Sequence, residues 1–530
     1  MVFPRKQIAL FVDGCFWHGC PQCRKHDGLN GESWVNKIAG NRARDRRVTA
    51  ELEDAGWTVL RIPEHDLNTK SALSETVDRL ASLIRAAPPS GSAIRDFVLQ
   101  ERPDAEPPLT AVSLFSGAGL SDLGYELAGF QFVVQVEVDQ GRATIGAANF
   151  PRSTWLPRDV CGGADDVATA YQKATSRRLD LLVATPPCQG MSSSNPSRGK
   201  RRSPRAQELE AKNRLMLEVI PVAQRLKPRV IVAENVRPVL TLNVEYGGSN
   251  RTVIDHIRNH LTDYDVFAGV VNVADYGIPQ VRKRALVVAV HKGEPCLAGM
   301  SSRNETPLPS PTHSERPTND ELPWVSIRQW LQLMDYDHLD ARSKDSARGE
   351  HWLHFVPSYG SDRYMQVSQI PPNSGRSAFE NDECPSCGRQ QVAADLILCP
   401  SCDAVMRNRP YVDRNGQPAL IKGFDSSYRR MRPERPAYTI TTNSSHIGSD
   451  FKIHPWENRV LSILECADLQ TLPRFYDWTL ARENRTLYLI RNLIGEAFPT
   501  YFTYLHGQVL AELLFSSQSS QPNNTALAKQ

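Results

Sequence analysis

The chain has 530 residues, 40% of them hydrophobic and 23% charged, with a formal net charge of +3 at pH 7. That length suggests about three units of ordinary domain size. The near-neutral balance rules out an argument for nucleic-acid binding from global charge, so any basic surface has to be local.

Residues 7–13, "QIALFVD", read as a buried strand, and the apolar run there is far too short for a membrane span or a secretory signal. No membrane partner and a cytoplasmic, nucleoid-associated prokaryotic location are expected. The strand runs into "FVDGCFWHGCPQC", Phe11 to Cys23, which holds three cysteines, a histidine and an aspartate. Such a cluster fits a metal staple, a nuclease centre, or both. "SWVNKIAGNRARDRRVTAELEDAG" places Trp34, Ile38, Val48 and Leu52 at helical spacing and ends at Gly56. "WTVLRIP" reads as a second strand and "SETVDRLASLIRAA" as an amphipathic helix. These elements make a compact unit over residues 1–85. "PPSGS" and "RPDAEPP" mark residues 86–108 as linker.

From Leu109 the pattern changes. "TAVSLFS", "FVVQVEVD", "LDLLVATP", "RVIVAENV" and "ALVVAV" are apolar, β-branched runs separated by helical segments. That alternation predicts an α/β core over residues 109–290, with a parallel sheet covered on both faces. Residues 291–435 lose the regularity and are rich in Pro, Ser and Arg. Helical patterning returns over 436–512, and residues 513–530 read as a disordered tail. The eleven cysteines of a cytosolic chain point to metal or catalysis rather than disulfides.

In "SLFSGAGLSDLGYELAGF", Gly117 and Gly119 sit between a strand and a helix, where backbone can approach a ligand closely. About eighteen residues further on, the next strand ends in "VEVD", placing Glu137 where a carboxylate can accept from ribose hydroxyls. "ATPPCQG" then sets Cys188 at the carboxyl edge of the sheet, where ligands bind in open α/β folds. "AENV" brings Glu234 to the same edge, and "YGIPQVRKRALVVAV" delivers Gln280, Arg282 and Arg284. One reaction uses all three pieces. Carbon 5 of cytosine is a poor nucleophile until a thiolate adds at carbon 6. That addition needs a carboxyl group at ring nitrogen N3 and a cation near O2. Cys188, Glu234 and Arg284 suit these roles, with Arg282 supporting the loop. In duplex DNA the base is first flipped out of the stack.

In order, "LFSGAGL", "EVD", "DV" at Asp159, "PPCQG", "ENV", "QVRKR", "RPAYTIT", "IHPWENRVLSILECADLQTLP" and "IGEAFP" closely resemble the DNA cytosine-5 methyltransferase family, over residues 109–290 and 428–510. The resemblance implies a Rossmann-like S-adenosylmethionine-dependent fold acting on double-stranded DNA as a monomer. It leaves open whether a cognate restriction endonuclease accompanies it. It also implies a cofactor site formed by Phe115, Ser116, Gly117, Gly119, Leu120, Glu137, Val138, Asp159, Val160 and Pro187, closed by Gly495, Glu496 and Ala497. Glu496 departs from the family's usual Asn. "RGKRRSPR", Arg198 to Arg205, follows the nucleophile loop and reads as a phosphate-contacting run rather than a merely solvated one.

The variable segment of that family reads the DNA sequence. Here it contains "CPSCGRQQVAADLILCPSC", two CxxC pairs whose spacing suits a four-cysteine zinc knuckle of Cys384, Cys387, Cys399 and Cys402. "FVDGCFWHGCPQC", "NKIAGNRARDRR" and "GWTVLRIPEHDL" resemble the very-short-patch mismatch endonucleases, which nick beside T·G mismatches. The resemblance implies a small α/β restriction-endonuclease-like unit and a second structural zinc on Cys15, Cys20, Cys23 and His65. It also implies a catalytic His18 held by Asp45. Those nucleases carry a magnesium-binding aspartate before the "VFP" strand, whereas this chain starts at Met1. The expectation is therefore a DNA-binding remnant or an upstream start, with magnesium needed only if the unit cuts.

Overall fold

The computed structural model describes residues 2–3, 8–18, 20, 23, 32–54, 57–70, 72–74, 76–77, 80, 91–103, 108–187, 212–295, 306–317, 321–421, 425–484 and 487–516. The chain divides into two compact units. One comprises Met1–Leu99, Ala274–Val281 and Pro311–Thr471; the other comprises Gln100–Val273, Arg282–Ser310 and Leu472–Gln530.

In the first unit, strands β1 (Val2–Phe3), β2 (Ile8–Asp13) and β3 (Thr58–Pro63) form a small sheet in that order. β2 and β3 are parallel, as a strand–helix–strand crossover through helix α1 (Glu32–Asp54) requires. The stretch expected as linker contains helix α2 (Gly91–Leu99), with Ile94, Phe97 and Val98 buried. The Pro- and Gly-rich flanks masked three apolar residues at helical spacing. The amphipathic segment from Ser74 to Ala87 lies largely outside the described residues.

The second unit is built on a seven-stranded sheet. Its elements run β4 (Leu109–Leu114), α3 (Asp122–Leu127), β5 (Phe130–Val136), α4 (Gln140–Asn149), β6 (Thr154–Leu156), α5 (Ala164–Ala174), β7 (Leu181–Ala184), α6 (Val219–Leu226), β8 (Val230–Asn235), α7 (Val253–His260), β9 (Tyr264–Asn272) and β10 (Lys283–His291). The strand order is β9-β10-β8-β7-β4-β5-β6. Every residue of β4 and β7 is buried, as both faces of an inner parallel strand must be. The sheet is mixed rather than all parallel: β10 runs antiparallel to β8, and β9 antiparallel to β10. The short connection from β9 to β10 does not carry the crossover that a parallel pairing needs. β6 and β9 were not anticipated, because one is three residues long and the other is a half-exposed edge.

The irregular part of the first unit begins with helix α8 (Ile327–Met334), against which α2 packs, and ends with α9 (Ile463–Leu469). The segment 436–471 clusters with this unit, and the chain from Leu472 onward clusters with the other. Its loops are organised by buried arginines. Arg430 donates to the carbonyls of Ile370, His454 and Val367, and Arg459 chelates Glu465 at 2.7 and 2.8 Å. Backbone carbonyls outside regular structure need such donors when they are buried.

The second unit is completed by α10 (Leu487–Glu496) and α11 (Thr500–Ser516), separated at Pro499, where the pyrrolidine ring breaks the helical ladder. Residues 513–516, expected as tail, belong to α11. Leu514 is buried, and its carbonyl accepts from Arg229. Residues 517–530 lie outside the described set. α11 packs on α3 so closely that a Cβ on Gly124 would lie 2.2 Å from the Thr500 carbonyl oxygen.

Candidate active site

The strand order places β4 between β5 and β7, so successive crossovers leave in opposite directions and open a crevice at the strands' carboxyl ends. The turn after β4 is held in a left-handed backbone, with φ of +60° at Phe115, +58° at Gly117 and +79° at Gly119. At Gly119 a Cβ would sit 2.4 Å from the Phe150 ring, so glycine is needed both for the conformation and for the space. Glu137, buried at the end of β5, accepts from the amides of Gly117 and Asp139, each at 2.9 Å. Burial raises its pKa, and the two amides partly offset the rise. Beside it Val138 is 68% exposed, a bare apolar surface at the rim of the crevice. Asp159 is exposed and accepts from the Cys161 amide, while Val160 is buried. Ser116 is buried, with its hydroxyl on the Ser113 carbonyl, and the Leu120 carbonyl accepts from Thr500.

On the other side of β4, the loop after β7 carries Thr185, Pro186 and Pro187. The Thr185 hydroxyl donates to the Phe115 carbonyl, and Asn235 Nδ2 donates to the Pro186 carbonyl. Cys188 and the basic run 198–205 lie outside the described residues. Glu234 stands directly opposite Leu286 in the β8/β10 register, which makes Arg284, two residues before Leu286, its diagonal neighbour on the same face. Arg284 Nε lies 2.8 Å from Glu234 Oε1. Burial raises the Glu234 pKa, and the Arg284 and Arg282 charges oppose the rise. Arg282 is buried and donates through Nη2 to the carbonyls of Gly495 and Glu496, at 3.0 and 3.1 Å. The Ala497 amide closes α10 on the Leu493 carbonyl, and the Glu496 carboxylate pairs with Arg142 on α4. Gln280, grouped with Arg282 and Arg284 by sequence, instead donates to the Leu469 carbonyl inside the first unit.

Two clusters in the first unit gather metal-binding atoms within 4.8 Å of one another: Cys384, Cys387, Cys399 and Cys402, and Cys15, Cys20, Cys23 and His65. In the former, Sγ–Sγ separations of 3.7 Å for Cys384–Cys402 and Cys387–Cys399 match the roughly 3.8 Å edge of a tetrahedron with 2.3 Å metal–sulfur bonds. In the latter, His65 Nδ1 lies 3.3 Å from Cys15 Sγ and 3.6 Å from Cys20 Sγ, and its Nε2 faces Asp66 at 3.2 Å. A carboxylate on the far nitrogen is the usual support of a ligating imidazole. Nearby, His18 Nδ1 contacts Asp45 Oδ2 at 2.6 Å, and Arg61 grips both oxygens of Asp13, at 2.7 and 2.8 Å.

Residues 109–504 match the family model of the C-5 cytosine-specific DNA methylases. The chain belongs to this family of DNA methyltransferases. It is 27% identical over 402 residues to the type II methyltransferase M1.HgaI of Avibacterium volantium, covering 74% of this chain and 95% of that one. It is 31% identical over 207 residues to the type II methyltransferase M1.HphI of Haemophilus parahaemolyticus, covering 39% of this chain and 50% of that one. Over 83 residues it is 41% identical to the type II nicking enzyme V.NaeI of Lentzea aerocolonigenes, 16% of this chain and 49% of that one. Among the described residues no helix is long and apolar enough to cross a membrane.

Sequence reasoning missed three residues that shape the methyltransferase crevice. Thr185 and Asn235 fix the Pro–Pro turn, and Arg142 faces Glu496. Asn235 sits in the quoted "AENV", so its place at the strand end was the available signal. Arg142 gave none, because its partner lies 354 residues away. Beneath the glycine turn, Asp122 is buried and accepts from Ser113 at 3.0 Å and Gln135 at 2.8 Å. Burial pushes its pKa up to about 7. A raised carboxyl pKa means that the native state holds the proton that the unfolded chain releases from about pH 4, so stability declines from there to about pH 7. Asp122→Asn is expected to remove that decline. It should stabilise the second unit at pH 8, on the order of 2 kcal/mol, with little gain at pH 4. Gln135 Oε1 is buried without a partner and can turn to accept from the new amide. Thermal melts across this pH range check the prediction.

Proposed function

We propose that this methyltransferase carries methyl from S-adenosylmethionine to carbon 5 of a flipped cytosine, through a covalent Cys188 adduct at carbon 6. The observation that carries the reading is the largely buried Glu234–Arg284 pair, with side chains 12% and 14% exposed, at the edge of the crevice. Glu234, with its pKa raised by burial, suits a group that holds a proton for N3 as the thiolate adds. Arg284 neutralises charge that develops at O2. The Asn235 and Thr185 hydrogen bonds fix the Thr185–Pro186 turn that precedes Cys188 in the sequence. The cofactor supplies an electrophilic methyl group; loss of the carbon-5 proton then lets the Cys188 bond break.

The crevice suits that cofactor. Glu137 stands ready for the ribose, Val138 offers an exposed apolar face for adenine, and Asp159 lies within the same rim. Phe115, Ser116, Gly117, Gly119, Leu120, Val160 and Pro187 supply the walls, and Glu496 and Ala497 the far side. The irregular part of the first unit reads the DNA sequence. Each four-ligand cluster holds a structural zinc, given tetrahedral sulfur spacing in one and the Asp66-supported His65 in the other. The likeness to type II methyltransferases supports a role in restriction–modification, with a cognate endonuclease as the partner. Covalent trapping on a 5-fluorocytosine duplex with cofactor tests the enzyme reading. A denaturation-resistant protein–DNA band is expected, and its absence with the wild-type chain overturns the mechanism.

A second reading, a methyltransferase that also nicks T·G mismatches, rests on the His18–Asp45 contact and the likeness to a nicking enzyme. Asp13 and Asp45 are both engaged, by Arg61 and His18. The expected result on a T·G duplex with magnesium is therefore binding without nicking. Nicking that His18→Ala abolishes would establish the second reading.

A further inference from the structure

We infer that the Arg142–Glu496 ion pair is a latch across the mouth of the cofactor crevice, one that governs how fast cofactor and product leave. The inference rests on the proposed cofactor site and concerns its two walls. One wall is the glycine turn with the start of α4; the other is the segment 493–503. Deep in the crevice the walls are joined by neutral contacts. The Leu493 side chain lies 3.9 Å from the position of a Cβ on Gly117, and the Phe498 amide donates to Ser121 at 2.9 Å. The Thr503 hydroxyl donates to the Ser121 carbonyl at 2.7 Å.

At the rim the connection is ionic. Arg142 projects from the first turn of α4, three residues beyond its N-cap Asp139, and reaches the Glu496 carboxylate with two guanidinium nitrogens. The same guanidinium acts electrostatically on Glu137, the residue proposed to hold the ribose. It thus joins the ribose wall to the last residue of α10. From beneath, Arg282 fastens the carbonyls of Gly495 and Glu496, so the Glu496 backbone is fixed while its side chain is the movable part. The side chains of Arg142 and Glu496 are 23% and 38% exposed. A pair so exposed contributes little to fold stability and is screened by salt. It can therefore open without unfolding its surroundings. The Glu496 carboxylate supplies the negative charge that makes the latch.

The test uses the full chain and S-adenosylhomocysteine, with dissociation followed by stopped-flow displacement at low and high salt, about 0.05 M and 0.5 M. Binding by the wild-type chain is read first and tests the proposed site itself. Arg142→Gln and Glu496→Gln should each speed release about two- to five-fold at low salt, and should lose the acceleration by salt that the wild type shows. The exchanged pair, Arg142→Glu with Glu496→Arg, should restore slow release. Release at the wild-type rate in both single variants overturns the latch, as does an exchanged pair as fast as the singles. A merely structural pair would instead lower the melting temperature and leave the release rate unchanged.

Discussion

Cys188→Ser is expected to lower methyl transfer by about 10⁴-fold or more and to remove the covalent band on 5-fluorocytosine DNA, while S-adenosylhomocysteine still binds. A serine hydroxyl stays protonated at neutral pH and cannot add to the ring without a base. The carboxylate next in sequence to Asn235, which holds the Pro–Pro turn, is Glu234, and Arg284 and the proposed N3 contact already occupy it. Glu234→Gln separates the roles further. The amide keeps a donor for N3 but cannot give up a proton, so a loss of about 10²–10⁴-fold is expected. The pH profile adds a signature. In the wild type, burial holds the Glu234 proton above the ordinary carboxyl range, and activity should fall as pH rises through that value. Glu234→Gln should flatten this alkaline limb. Single-turnover rates against pH, measured on both proteins, check the pair of outcomes. A Cys188→Ser enzyme that methylates at more than a tenth of the wild-type rate would remove the covalent mechanism.

Metal removal is expected to have the second largest effect. The segment 384–406 has a core of only Cys384, Val392, Cys399 and Met406, with Ile397 packed against it. So small a cluster offsets little of the entropy of ordering the loop, and the proposed zinc would supply the rest, since binding in such sites contributes about 10–16 kcal/mol. This segment is tied to its surroundings by Arg409, whose buried guanidinium donates to the carbonyls of Asn381, Val392, Ala393 and Leu396. Loss of the proposed metal is expected to loosen the four carbonyls that Arg409 gathers. With the two proposed zinc sites filled, Cys399→Ser should reduce bound zinc from two per chain to one by colorimetric release. It should also weaken sequence-specific DNA binding by at least about tenfold, with cofactor binding unchanged. Full DNA binding by a chain stripped of both metals would overturn the structural role.

How far a feature could be read from the sequence followed the range of the interactions that make it. The five inner strands were legible because each is a continuous buried run, and β4 and β7 are buried at every residue. The cysteine pairs were legible because ligand spacing is local chemistry. The direction of β10 was not. An apolar run of that length is the same in either orientation, and only the short return from β9 decides it. α2 was obscured by the Pro- and Gly-rich segments on either side, whose local preference outweighed its three buried side chains in the reading.

The sequence by itself determined the family and supplied the candidate groups: a thiol after two prolines, a carboxylate at a strand end, arginines before the next strand, and two four-ligand clusters. Each is a short motif whose meaning depends on residue type and near-neighbour spacing. Only the tertiary structure decided which groups meet. Glu234 finds Arg284 through an antiparallel register, Arg282 reaches the carbonyls of residues more than 200 positions away, and Arg142 meets Glu496 across the crevice. Those contacts arise from strand order and helix packing, which the burial of a shared core sets and which no local window of the chain contains.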